Sequence, residues 1–349
     1  MVLLKGNEAI AEAAIKSGCT QYYGYPITPQ NEVIEYMAKR MPESGGVCIQ
    51  AESEIAAVNM VLGAAAAGMR VMTSSSSPGI SLKTECISYL AGSDLPCVIM
   101  NMQRGGPGLG GIQPAQSDYY QAVKALGHGD MRLIVLAPNS VQEAASLTAL
   151  AFDLADKYRS PVIILADGAL GQMMEPVDLD KINFGKNNEK PWAANGHGGR
   201  RKNNIINSLY LQPEDLEERI KERYNTTYKQ LETEVRFEEI DAENAEIVIV
   251  SYGISARIAK RAYERLKKEG IKAGFFRPVT LNPFPSARLK QIAGTAGKFL
   301  VTELNMGQMT DDVKLAVECS KPVEFFGRTG GVLTTPEEIY RAAKNILNK

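Results

Sequence analysis

Four stretches of the chain place reactive side chains where an apolar run gives way to a helix-forming pattern. They are Gly24-Tyr25-Pro26-Ile27-Thr28, Ala51-Glu52-Ser53-Glu54, Ser74-Ser75-Ser76-Ser77-Pro78-Gly79, and Gln103-Arg104 with the glycine-rich residues 105–111 behind it. Together they offer a hydroxyl, a carboxylate, a serine cluster and a guanidinium. A planar guanidinium grips a carboxylate through two parallel hydrogen bonds, so the set suits a substrate that carries one. Ser53 is the expected N-cap, and Gly68 the C′ residue, of a helix over 54–67, which puts Glu54 in its first turn. A carboxylate there can be shown to a ligand, and its plainer role is to complement the helix dipole. Ser74–Ser77 ahead of Pro78 read first as capping chemistry and second as an anion site. The glycines at 105–111 fit neither a GxGxxG fingerprint nor a P-loop, so a nucleotide site is unsupported.

These loops need a frame that brings them to one edge. Residues 6–18 read as a helix and 20–25 as a strand; Thr28 as N-cap and Pro29 at N1 predict a helix to about Lys39. The alternation continues with strand 46–50, helix 54–67, strand 70–74, helix 79–91, strand 96–102, helix 117–126, strand 132–137, helix 141–157 and strand 161–166. Continuous apolar strands separated by helices predict a doubly wound α/β domain with a parallel sheet, whose ligands bind at the carboxyl ends of the strands. The helix over 54–67 is rich in alanine and glycine, so another surface can approach its backbone closely. From about 176 to 243 the chain turns polar, then charged, with apolar positions too sparse for a core helix, and predicts an arm that wraps a surface or another subunit. A second alternation from Glu246 predicts a smaller α/β domain. The resulting division is 1–180, 181–243 and 244–349.

Bulk properties narrow the function classes. The 349 residues are 44% hydrophobic and 23% charged, ordinary for a soluble globular protein. A formal net charge of -1 supplies no basic field for nucleic acid or an anionic bilayer. The amino-terminal residues turn polar too soon for a signal peptide and no apolar run reaches membrane-spanning length, so a cytoplasmic protein is expected. The five cysteines, Cys19, Cys48, Cys86, Cys97 and Cys319, are scattered and form no CxxC pair, which argues against a disulfide scaffold, a zinc site or an iron–sulfur cluster held by this chain. The two histidines, His128 and His197, sit in glycine-flanked loops and read as solvated.

GYPITP (24–29), AESEIAAVNMVLGAAAAG (51–68), TSSSSPGISL (73–82), QRGGPGLGGIQPAQSD (103–118) and RLIVLAPNSVQEA (132–144) resemble the alpha subunit of 2-oxoacid:ferredoxin oxidoreductases. The RGGPGLGGIQP form is most like the branched-chain, 2-oxoisovalerate type. The resemblance runs along most of residues 6–180, and residues 246–349 look like the transketolase C-terminal-like domain that follows in this family. It implies that residues 1 to about 180 are the pyrimidine-side domain for thiamine diphosphate, a cofactor shared with a beta subunit that carries the diphosphate-side domain. It also implies magnesium and 4Fe-4S clusters on partner subunits, gamma and ferredoxin-like delta subunits, coenzyme A as co-substrate and ferredoxin as acceptor. Asp167-Gly168 lacks the first glycine of the family's GDG motif and reads as a strand-end turn.

Carried over from the family, Glu54 matches the glutamate that hydrogen-bonds N1′ of the aminopyrimidine, favouring the imino tautomer whose nitrogen removes the C2 proton. Tyr25, Pro26 and Ile27 match the cofactor-facing loop, Thr28 a hydroxyl that binds the 2-oxoacid carboxylate, and Arg104 the guanidinium beside it. The implied activity is oxidative decarboxylation of 2-oxoisovalerate with coenzyme A, the chain being inactive alone. A 2-oxoglutarate or pyruvate member of the family and a non-catalytic scaffold subunit are the alternatives. The lack of a second cation in the loop at 105–116 favours an apolar substrate side chain.

Overall fold

The structure is a computed structural model that describes residues 1–124, 126–185 and 187–348. Ala125 in the predicted helix 117–126, Lys186 in the predicted arm and Lys349 at the end of the second domain lie outside the described residues. From the amino end run β1 (Val2–Lys5), α1 (Gly6–Lys16), β2 (Gln21–Gly24), α2 (Asn31–Arg40), β3 (Val47–Gln50), α3 (Glu54–Ala66), β4 (Val71–Ser75), α4 (Ser77–Gly92) and β5 (Val98–Gln103). Next come α5 (Tyr119–Val123), β6 (Ile134–Leu136), α6 (Val141–Tyr158), β7 (Val162–Asp167), α7 (Gly168–Gln172) and β8 (Met174–Val177). The remainder holds α8 (Pro213–Arg223), α9 (Lys229–Leu231), β9 (Phe237–Ile240), β10 (Ile247–Ser251), α10 (Gly253–Lys268), β11 (Ala273–Pro278), β12 (Thr280–Asn282), α11 (Ser286–Ala293), β13 (Lys298–Glu303), α12 (Gln308–Ala316), β14 (Val323–Gly327) and α13 (Pro336–Leu347). No helix among the described residues is long and apolar enough to cross a membrane.

The first sheet has the order β12-β6-β7-β5-β4-β2-β3, and the second β14-β13-β10-β11-β9. The central strands β4, β5 and β7 are buried along their whole length, because helices cover both faces. Both sheets are parallel apart from one antiparallel edge strand each, β12 in the first and β9 in the second. The first sheet is therefore not built from residues 1–180 alone: Thr280 pairs with Leu136, from the far side of the arm. A separate two-stranded ribbon joins β1 to β8.

Helix α3 starts and stops as its sequence predicts. The Ser53 hydroxyl accepts from the Ala56 amide at 3.2 Å. At the other end Gly68, at φ +87°, lets its own amide reach Ala65 and that of Met69 reach Ala64, the paired bonds that close a helix. The arm uses the small residues here: Ala194 donates to the Ala66 carbonyl at 2.8 Å, and a Cβ on Gly68 would stand 2.7 Å from Ala193. Elsewhere the arm is fixed by Arg159 lying 4.5 Å from the Trp192 ring centre and by Lys190 paired with Asp156 at 2.8 Å. Most of α8 is exposed, whereas Tyr228 and Leu231 beyond it enter the core.

Helix α2 departs from expectation. It begins at Asn31 after Gln30, not after a Thr28 cap. The Pro29 carbonyl, which a helix starting there would use internally, instead accepts from Asn7 of α1 at 2.8 Å and from Gln172 at 3.3 Å. The predicted helix 117–126 is likewise shorter, covering Tyr119–Val123.

One glutamine joins the two sheets. Gln116 Nε2 donates to the Tyr252 carbonyl at 2.9 Å, while its Oε1 accepts from Ser255 at 2.7 Å and from the Leu304 amide at 3.0 Å. Its side chain thus makes three hydrogen bonds that tie together the loop after β5, the start of α10 and the end of β13. Gln116→Leu would leave a buried amide and a buried hydroxyl unpartnered and take from the Tyr252 carbonyl one of its two donors, the other being the Ala256 amide, and should destabilise the chain by about 3 kcal/mol. Urea denaturation checks this as a lowered midpoint.

Candidate active site

The four loops singled out in the sequence follow β2, β3, β4 and β5, which lie side by side in the order β3-β2-β4-β5. The chain order reverses at β2, with β3 on one side and β4 on the other, and such a reversal opens a crevice above the strand ends. The loop at 24–29 is braced from beneath by a buried chain of hydroxyl and amide groups. Ser74 Oγ donates to Gln30 Oε1 at 2.5 Å, so the Tyr22 hydroxyl, 2.5 Å from Ser74, is the donor to it; Gln30 Nε2 then donates to the Tyr25 carbonyl at 3.2 Å. The Gln30 amide also reaches the Ile27 carbonyl at 3.0 Å. Tyr25, Pro26, Ile27 and Thr28 are in this way held without a helix of their own.

Glu54 is buried in the first turn of α3, and its side chain lies on the backbone of α4. A Cβ on Gly79 would stand 2.7 Å from Glu54 Oε1 and 2.1 Å from Ser75 Oγ. Only glycine leaves this room. The Ser75 hydroxyl beside it, and that of Ser76 next along the chain, are buried with no hydrogen-bond partner among the described residues. Ser76 occupies the N-cap position of α4 without a side-chain cap bond, so the expected capping chemistry does not occur there and the hydroxyls stay available.

Arg104 is also buried. Its Nη1 donates to the Thr28 carbonyl at 3.0 Å and Nη2 to the Leu109 carbonyl at 3.3 Å, while Nε has no partner among the described residues. These partners are neutral, and Arg104 forms no ion pair among the described residues. Its backbone is tied to α4: the Arg104 amide donates to Ser77 Oγ at 3.0 Å, and Ser77 donates to Asp118 at 2.6 Å. Asn101 completes the cluster, accepting from the Ser77 amide at 3.1 Å and donating to Asp118 at 2.9 Å. Burial pushes the Asp118 carboxyl up, and the hydrogen bonds from Ser77 and Asn101, with the charge of Arg104, work against that rise.

The structure therefore joins Thr28 to Arg104 directly and ties Arg104 to Glu54 through the first turn of α4. Gln30, Asn101, Asp118 and the buried Lys83 were missed by sequence reasoning. Asp118 lay within the QRGGPGLGGIQPAQSD stretch, and Lys83 stood out as a lone charge on the otherwise apolar face of α4. Exposed apolar side chains rim the buried charges, among them Tyr25 at 37%, Ile55 at 52%, Leu109 at 86% and Ile112 at 57% exposure. Asp167 is the buried N-cap of α7, accepting from Ala169 and Leu170, and not a plain turn. The two histidines are exposed, as expected.

Residues 12–244 match the family described as pyruvate flavodoxin/ferredoxin oxidoreductase, thiamine diphosphate-binding, and residues 245–339 match pyruvate:ferredoxin oxidoreductase core domain II. The chain is 49% identical over 347 residues to the ketoisovalerate oxidoreductase subunit VorB of Methanothermobacter marburgensis, covering 99% of this chain and 97% of that one. It is 37% identical to the 2-oxoglutarate synthase subunit KorA of Archaeoglobus fulgidus, covering 97% of each. Among solved structures, the 2-oxoglutarate:ferredoxin oxidoreductase from Magnetococcus marinus with 2-oxoglutarate, coenzyme A and succinyl-CoA bound aligns with a TM-score of 0.88 at 30% identity. That alignment covers 99% of this chain and 65% of the other, so this chain spans about two thirds of its length. A split-gene transketolase, 16% identical with a TM-score of 0.64, shares the fold.

Gly79→Ala tests the cradle. Alanine within a helix ordinarily stabilises by about 1 kcal/mol, but here the added methyl meets two side-chain oxygens that can swing aside. Folding stability should change little while Glu54 is displaced. Calorimetric titration of the assembled protein with thiamine diphosphate should show affinity reduced at least about tenfold, the equivalent of about 1.4 kcal/mol.

Proposed function

The chain belongs to the 2-oxoacid:ferredoxin oxidoreductase family, and from that premise we propose that it is the pyrimidine-side subunit of an enzyme that decarboxylates 2-oxoisovalerate. In the proposed reaction the 2-oxoacid and coenzyme A give acyl-CoA and CO2, and two electrons pass singly to ferredoxin. One observation carries the reading: Arg104, a buried guanidinium that forms no ion pair among the described residues, stands beside Thr28 at the edge that also holds Glu54. A buried cation held only by carbonyls is poorly compensated, and a carboxylate ligand would complete it.

Thiamine diphosphate fits the residues present. Glu54 faces the bare backbone of Gly79, and the Ser75 hydroxyl at the same position lacks a partner among the described residues. When bound, the cofactor supplies the carbon that adds to the 2-oxo group and the electron sink for loss of CO2. Glu54 holds a proton at N1′ of the aminopyrimidine. Tyr25, Pro26 and Ile27 line the cofactor from the loop braced by Gln30. Thr28 and Arg104 hold the substrate carboxylate, and Leu109 and Ile112, with no cation among residues 105–116, offer an apolar side chain a suitable neighbour.

The remaining machinery is assigned to partners. Among the described residues no group of three or more His, Cys, Asp or Glu side chains could hold a metal ion. Magnesium and the 4Fe-4S clusters are placed on the beta and ferredoxin-like delta subunits, with a gamma subunit and ferredoxin completing the system. The exposed apolar rim suits a second wall from the beta subunit. The division at 1–180, 181–243 and 244–349 is part of the same reading.

The test is coenzyme A-dependent reduction of a one-electron dye by the co-expressed assembly. We expect 2-oxoisovalerate to outpace 2-oxoglutarate and pyruvate, and Glu54→Gln to lower kcat by about a hundredfold or more without loss of assembly. Arg104→Lys keeps the charge and loses the fork, and should raise KM for the 2-oxoacid about tenfold or more. Full activity in Glu54→Gln, or a preference for 2-oxoglutarate, would overturn the assignment.

A further inference from the structure

Lys83 is a fully buried lysine in the middle of α4. Lysine is almost never buried to that extent unless paired, and the ammonium's hydrogen-bond partner is a neutral one, Thr73 Oγ1 at 2.7 Å. Its place in the helix explains the arrangement. Lys83 lies one turn beyond Gly79 on the same face, and side chains in a helix lean towards the amino end, so the ammonium leans towards the carboxylate that rests on Gly79. The strand beneath repeats the pairing. Thr73 and Ser75 lie two apart in β4 and face the same side of the sheet; Ser75 meets the Gly79 cradle and Thr73 holds the ammonium. Glu54 and Lys83 thus occupy neighbouring rungs of one ladder between β4 and α4.

The ionisable groups that act on Lys83 are Glu54 from α3, Cys86 from α4 and Cys97 ahead of β5. Burial raises both thiols, that of Cys86 to about 11, so they are neutral at physiological pH. Glu54 is then the one anion among them. Burial pushes the Lys83 ammonium down to about 8, and Glu54 partly restores it.

We propose that Lys83 is a positioning residue for Glu54: its ammonium, anchored on Thr73, favours the ionised carboxylate and so keeps the proton shared between Glu54 and the cofactor's N1′ on the nitrogen. The inference rests on the assignment of Glu54 to N1′ made above. It adds a second charge to that assignment, and a pH sensitivity. Loss of the Lys83 proton removes the charge that favours the carboxylate, so the shared proton shifts to Glu54 as pH rises through the lysine's range.

The experiment uses the assembled enzyme loaded with thiamine diphosphate carrying 15N at N1′, whose chemical shift reports whether that nitrogen is protonated. In wild type the shift should move from the protonated towards the unprotonated value as pH is raised through about 8. In Lys83→Met, close in shape to lysine without its charge, it should stay at the unprotonated end throughout. The kcat at neutral pH should fall about tenfold, with KM for the 2-oxoacid unchanged. Thr73→Val with Lys83→Met removes the hydroxyl left without a partner, and serves if the single variant does not assemble. An N1′ shift equal to wild type in either variant, or a wild-type shift that stays flat through pH 8, would overturn the role of Lys83. Glu54→Gln separates the two failures: if it retains full activity the Glu54 assignment falls, and if it is inactive while the lysine variant behaves as wild type, only the lysine proposal falls.

Discussion

Glu54, Lys83 and Arg104 all place buried charge around the amino-terminal half of a single helix, α4, and burying charge is the constraint that the surrounding sequence has to meet. Each is met differently. Arg104 is held by two backbone carbonyls with its Nε left without a partner among the described residues, Lys83 is held by one hydroxyl, and Glu54 rests on a helix without a side chain at the facing position. Among the described residues none has a partner of opposite charge in a close pair. Structural ion pairs in this chain look otherwise: buried Arg277 is clasped by Glu143 and Glu238 at 2.8–2.9 Å. The contrast separates charges that complete the protein from charges arranged to be completed by something else.

The first turn of α4 distributes that constraint. Ser77 accepts from Arg104 and donates to Asp118, Ser75 and Gly79 meet Glu54, and Ser74 turns to the opposite face of the sheet to brace the loop at 24–29. Four consecutive serines can do this because alternate residues of a strand face opposite sides, and the last of them begins the helix. A change at one serine is therefore felt at a different ligand-facing group from a change at its neighbour.

Much of this was legible in the sequence because its signals are local. Apolar runs located the parallel strands of both sheets but not β1, β8, β9 or β12, which pair antiparallel, and Ser53 and Gly68 bounded α3 because capping bonds involve residues a few positions apart. The failures are non-local. Thr28-Pro29 carries a good local signature for a helix start, but Asn7 and Gln172 take the Pro29 carbonyl from elsewhere in the fold. The first turn of α4 has no serine side-chain cap for a related reason: the Ser77 amide goes to Asn101 of β5, Pro78 has no amide proton, and the Gly79 amide goes to the Ser76 carbonyl. Lys83 shows as a charge on an apolar face, yet only packing reveals that it is buried and which carboxylate it approaches. Family resemblance supplied roles for Glu54 and Arg104, whereas the residues that hold them in place came from the geometry.

Strand β12 gives the fold a temporal order. It closes the β6 edge of the first sheet, and it emerges from the ribosome more than a hundred residues after β7. Until residue 282 is free, that sheet presents an unpaired backbone edge to the cell, a template for the wrong strand. The amino-terminal half cannot finish folding as an autonomous unit during synthesis, and a gene cut at the apparent domain boundary would leave each product exposing what the other was meant to cover.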